Sequence, residues 1–168
     1  MREMRRKKQQ LSAEQAEKII CRNTYGVLSL SDPEGQPYGV PLNYVYADGS
    51  FYFHCALSGH KTDIIKENGK ASFCIVDNDK VIPETFSTEY ISVIAFGEVR
   101  RIESDEEKLR TLRLLTQFLG DPDKEKQEKE SQGGFSHVDM LCFKVEHITG
   151  KAGIFIMKNI EDFFPELK

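Results

Sequence analysis

From Tyr25 onward the chain breaks into short runs rich in Val, Tyr, Phe and Ile, separated by the turn-forming clusters DPEGQP and ADGS. β-Branched and aromatic residues suit a pleated, half-buried surface, whereas Gly, Pro, Asp and Asn serve the reversals between strands. The pattern predicts strands near 25–31, 37–46, 51–55, 71–76, 90–101 and 138–148. In the second run Tyr38, Val40, Leu42, Tyr44 and Tyr46 alternate onto one side, with Pro41 and Asn43 on the other. Three stretches carry the helical period instead. Ser12 and Gln15 form a capping box ahead of Ala16, Ile19 and Ile20, which predicts a helix over 12–22. A second helix is expected from Ser58 to Asn68, with Gly69 as a left-handed stop. A third begins at Ser104 and Glu107, runs along Leu109, Leu112, Leu115 and Phe118 or Leu119, and ends at Gly120 and Pro122.

Six strands with mostly tight connections point to a mainly β chain, an antiparallel barrel or sandwich with peripheral helices. A length of 168 residues suits a single domain spanning 1–168, with residues 1–10 expected as a basic, mobile arm and 121–136 as a mobile surface loop. The apolar runs are too short for a membrane span, and MREMRRKKQQ leads into a polar helix rather than a signal-peptide core, so a cytoplasmic location is expected. Four scattered cysteines without a CxxC pair read as reduced thiols. A net charge of -4 argues against nucleic acid as a partner, and Arg2, Arg5, Arg6, Lys7 and Lys8 read as a solvated terminus.

Chemistry concentrates in FYFHCALSGHKTDII. There a strand passes through Ser58, Gly59, His60 and Lys61 into a helix. The first turn of a helix offers unpartnered N–H groups and the positive end of the dipole, so a lysine, a hydroxyl and a glycine at that point suit a phosphate monoester. A plain turn with a solvated lysine accounts for the same residues. Pro41 within GQPYGVPLNYVY marks an edge or bulge, where free backbone groups could meet a flat heteroaromatic ring or simply end the sheet. No metal site is expected, since His54 and Cys55 are strand neighbours that point to opposite faces and no pair has zinc-finger spacing. GxSxG and Walker A patterns are absent, which removes the commonest hydrolase and NTPase readings.

Taken in order, YGVLSL, GQPYGVPLNYVY, FYFHCALSGHK, TEYISVIAFGEV and EHITGKAG resemble the pyridoxamine 5'-phosphate oxidase-like split-barrel flavoproteins, and among them the group related to 5-nitroimidazole reductases, over about Arg22 to Gly153. The resemblance implies a six-stranded antiparallel split β-barrel of the FMN-binding type, with FMN at the interface of a homodimer. It implies that the backbone of Val40, Pro41, Leu42 and Asn43 faces the isoalloxazine ring, that Ser58, Gly59, His60 and Lys61 hold the phosphate, and that His54 and Ser92 border the pocket. His60 departs from the family pattern, where oxidases usually carry arginine. The implied function is reduction of a small molecule such as a nitro-aromatic compound, with electrons from a donor such as NAD(P)H and His54 as the catalytic candidate for proton delivery. Two alternatives stand beside it: a non-catalytic flavin or haem binding or storage protein, and pyridoxamine 5'-phosphate oxidase-like activity. The closing MKNIEDFFPELK lacks the basic recognition tail of the oxidases, which weighs against the last.

Overall fold

The structure, a computed structural model, describes residues 3–120 and 123–167, the Leu119 side chain excepted. Seven strands form one antiparallel sheet: β1 (Tyr25–Ser31), β2 (Pro37–Asn43), β3 (Val45–Ala47), β4 (Ser50–Cys55), β5 (Lys70–Ile82), β6 (Ser87–Arg101) and β7 (Asp139–Ala152). Their spatial order is β2-β1-β5-β6-β7-β4-β3. β2 and β3 therefore lie at opposite ends of the order, yet only Tyr44 separates them in the chain. A flat sheet of this width would span about 29 Å at roughly 4.8 Å per strand, far beyond one residue. The sheet must curl until its ends meet, which makes a mainly β split barrel left open at that seam.

All six expected strands are present. The second is divided at Tyr44, whose N–H donates to the Thr24 carbonyl at 3.2 Å and whose hydroxyl donates to the Ile20 carbonyl at 2.6 Å. The alternation continues through the break: Tyr38, Val40, Leu42 and Tyr46 pack against the core, and Tyr44 is fully buried within it. Inward-facing Leu28, Phe51, Phe53, Phe73, Val93 and Phe143 fill the barrel. Helix α1 (Ala13–Arg22) contributes Ala16, Ile19 and Ile20 to the same cluster, and the expected capping box at Ser12 is complete. After α2 (His60–Glu67), α3 (Asp105–Leu119) lays Leu112 and Leu115 on a smaller outer cluster with Tyr52, Met140 and Cys142.

Three local expectations need correction. The stretch expected as a surface loop contains α4 (Lys124–Gly134), capped by Asp123, whose carboxylate accepts from the N–H groups of Glu125 and Lys126. Its contacts with α3 are polar, Arg113 to Glu128 at 2.6 Å and Thr116 to Ser131 at 2.8 Å, so no apolar period betrays it. Residues 121 and 122, with the expected Pro122 stop, lie outside the described residues. Gly69 is not a left-handed stop: it lies against β6, where a Cβ would meet the Val99 carbonyl at 2.7 Å. The basic stretch is tied down at its end, because Lys7–Gln9 form a 3-10 turn, Gln9 is buried and Gln10 bridges to Lys151. Beyond β7 lie two short helices that the pattern did not suggest, α5 (Ile154–Lys158) and α6 (Ile160–Phe163), followed by a 3-10 turn at Pro165–Leu167. Among the described residues no helix is long and apolar enough to cross a membrane.

Candidate functional site

The turn between β4 and α2 is held open by its backbone. Gly59 adopts φ 146°, a region that side-chain-bearing residues rarely occupy, and as N-cap it offers no side-chain acceptor to the first turn of the helix. The Thr62 hydroxyl donates to the Gly59 carbonyl at 2.6 Å, so it too leaves the first-turn N–H groups free. Lys61 is half-buried and makes no hydrogen bond or ion pair among the described residues. Ser58, Gly59 and His60 are exposed. The first turn also carries Asp63, whose carboxylate lies 3.8 Å from the Lys66 ammonium and does not cap the helix, so the first-turn amides, the dipole and Lys61 fit a phosphate monoester.

Tyr38 links this turn to β2. The His60 ring meets Tyr38 edge-on, with centroids 4.9 Å apart. β2 is hydrogen-bonded to β1 alone, so its other edge has no strand partner. Val40 and Leu42 pack toward the core, whereas Pro41 and Asn43 are exposed, and the Asn43 amide donates to the Thr24 carbonyl at 3.1 Å. The six residues of strand from Tyr38 to Asn43 give that edge a reach of about 17 Å. A mononucleotide with its phosphate at the turn can lie along it.

His54 is exposed at the end of β4. Partial burial first, and the Lys61 charge second, push its pKa below the ordinary histidine value. Both causes disfavour the charged imidazole, and the approach of an anion would favour it.

Ser92 does not join this group within one protomer. It pairs with Val76 on β5 and Lys151 on β7, whereas His54 pairs with Met140 on β7. Eleven residues of β7, about 36 Å along the strand, separate those two positions. Ser92 belongs instead to the outer face of the sheet. There Pro41, Val27, Cys74, Ile94 and Thr149 form a row across five strands, none of them fully buried.

Sequence reasoning missed two features. Tyr38 was assigned to a strand face, but its contact with His60 depends on the fold. Behind the turn, a cavity of about 440 Å³ lies between α2 and the ends of β6 and β7, lined in part by Thr62, Lys66, Arg101 and Asp139. Asp139 is 2% exposed, accepts from Arg101 at 2.9 Å and lies 3.7 Å from the Lys108 ammonium, while its Oδ2 has no partner among the described residues. No local motif marks it. No group of three or more His, Cys, Asp or Glu among the described residues could hold a metal ion.

Comparison with known proteins bears on the fold and the family. The sequence profile described as pyridoxamine 5'-phosphate oxidase matches residues 12–152. No curated protein matches the chain. Among solved structures, a candidate 5-nitroimidazole antibiotic resistance protein from Bacteroides thetaiotaomicron VPI-5482 superposes with a TM-score of 0.72 at 23% identity, over 85% of this chain and 86% of that one. The FAD and heme binding protein from Mycobacterium smegmatis gives 0.71 at 18% identity, over 88% of this chain and 74% of that one. A FAD-binding protein from Mesorhizobium loti gives 0.60 at 21% identity, over 86% and 96%. At these identities the structural likeness establishes the fold, and the profile, which spans most of the sequence, establishes the kinship. The chain belongs to the pyridoxamine 5'-phosphate oxidase family.

Proposed function

We propose that this chain is an FMN-binding oxidoreductase that works in the cytoplasm as a homodimer and reduces a small molecule such as a nitro-aromatic compound. The observation that carries the reading is the start of α2, an N-terminus with no side-chain cap beside a lysine with no partner among the described residues, at one end of a strand edge left free. Lys61 and the first-turn amides would hold the phosphate, with Ser58 and Gly59 shaping the turn and His60 braced on Tyr38. The free edge of β2, from Val40 through Pro41 and Leu42 to Asn43, would border the ring. Because Ser92 is remote from His54 in one protomer, a second copy would bring its outer sheet face, with Ser92, over the first copy's flavin.

FMN, when bound, supplies the capacity to accept electrons from a reduced nicotinamide and release them to an oxidised acceptor. The protein's share is to fix the ring, exclude water from one face and place His54 where an anionic ligand could recruit a proton to it. Relatives described as binding FAD, or FAD and heme, support the flavin class and also a second reading, a non-catalytic flavin or haem carrier. An absorption spectrum of the purified protein separates these readings. Flavin bands that bleach anaerobically with NADH and return with a nitroimidazole are expected; a Soret band, or a flavin inert to every donor, would favour the carrier. Light scattering that finds a monomer binding FMN stoichiometrically would remove the shared site.

A further inference from the structure

Among the described residues nine large hydrophobic side chains are exposed, and seven of them sit on or beside one hairpin. Val81 and Phe86 are on the hairpin formed by β5 and β6, and Val76 is at its root. Val27 is next to the root, paired with Cys74, and Tyr25 precedes it on β1. Ile154 and Phe155 start α5, which is fastened to the hairpin by the Gly153 N–H donating to the Tyr90 carbonyl at 2.8 Å. Apolar exposure concentrated around one element in this way marks an interaction surface.

The hairpin projects as an arm. The β1 ladder reaches only to Cys74 on β5, and the β7 ladder reaches only to Ile91 on β6. Beyond those points the pairs Asp79–Tyr90, Lys80–Glu89, Val81–Thr88 and Ile82–Ser87 have no third strand. The register shifts at Asp77, and the Asp77 carboxylate is clamped by the Arg22 Nε and the Asn23 amide, each at 2.7 Å, so the arm leaves the barrel in a fixed direction. At its tip Phe86 is 100% exposed. A two-stranded ribbon is marginal by itself in water, and an aromatic held wholly in solvent adds to the deficit.

Charge identifies what covers it. The arm carries Asp79, Glu84 and Glu89 against the single cation Lys80, and none of them forms an ion pair among the described residues. Arg5 and Lys8 of the N-terminal stretch and Lys158 of α5, which packs against that stretch, are exposed and likewise without a carboxylate. An acidic, apolar arm and a basic segment on the same chain, not paired with each other among the described residues, are complementary between two copies related by a two-fold axis.

We propose that the β5–β6 hairpin is the clasp of a homodimer. Each copy lays Val81 and Phe86 on the other and sets its arm carboxylates against the other's Arg5, Lys8 and Lys158. The inference rests on the homodimer reading above and names the element that makes the contact. It also gives the basic N-terminal stretch a role that the flavin site leaves unassigned.

Sedimentation equilibrium of the full chain tests it. Val81 and Phe86 are exposed in the protomer, so the double variant Val81→Ser, Phe86→Ser should keep the wild-type circular dichroism while its dimer dissociation constant rises by about tenfold or more. Glu84→Lys should also weaken the dimer, and the gap between it and wild type should close at high salt. If wild type is a dimer and all these variants dimerise with unchanged constants, the clasp is wrong while the homodimer reading stands. A wild-type monomer that binds FMN stoichiometrically would overturn the homodimer reading and take the clasp with it.

Discussion

Two helix starts in this molecule solve the same problem in opposite ways. At α1 the Ser12 side chain accepts from the Gln15 N–H at 3.1 Å, and the Gln15 side chain accepts from the Ser12 N–H at 2.9 Å. At α2 Gly59 provides no acceptor, and the adjacent Lys61 has no partner among the described residues. α3 and α4 follow α1, with caps from Ser104 and Asp123. Every helix start presents orphan N–H groups and a partial positive charge. Where a serine or aspartate satisfies them, the start is structural. At α2 they stay available and a cation is added, which makes this end suited to an anion from outside the chain.

That contrast predicts a separation of effects. Lys61→Ala should weaken flavin retention by about 1–3 kcal/mol, the worth of a charge-assisted hydrogen bond, with the thermal midpoint of the flavin-free protein essentially unmoved. Fluorescence titration with FMN measures the first and calorimetry the second. Ser104→Ala should do the reverse, lowering stability by about 1 kcal/mol through loss of the cap to Glu107 while leaving FMN affinity intact. If Ser104→Ala releases flavin as strongly as Lys61→Ala, the division between structural and ligand-bearing helix starts fails.

What the sequence could reveal follows the same division between local and assembled features. The strands and α1 were legible because alternation and the Ser12–Gln15 box are written in neighbouring residues. So was the turn at Ser58 to Lys61, whose residue types and place between strand and helix suffice. α4 was not, because Arg113–Glu128 and Thr116–Ser131 are polar contacts that exist only once two helices pack. Gly69 was read as a helix stop because a glycine after a helix usually is one; the constraint comes from the Val99 carbonyl on a strand thirty residues later. Ser92 joined the pocket by resemblance, and only the strand register reveals that one protomer holds it far from His54.

The smallest expected effect is the most diagnostic of how the α2 turn and the end of β4 share one field. In the free protein, partial burial and then the Lys61 charge hold the His54 pKa below its ordinary value. Lys61→Ala removes the second cause, so the pKa should rise, as read from the imidazole resonances in a pH titration by NMR. Inorganic phosphate or FMN bound at Lys61 should raise it in the wild type as well, by offsetting the ammonium, and should do much less in Lys61→Ala. The sign for stability follows. With a folded-state pKa below that of the unfolded chain, His54 contributes fully above the unfolded value, and its contribution is lost as pH falls through the folded one. His54→Ala should therefore flatten the acid side of the stability profile in that window. A His54 titration indifferent to both Lys61→Ala and phosphate would mean that the anion end and the histidine are electrostatically independent, and would remove His54 from any proton transfer linked to a ligand at the turn.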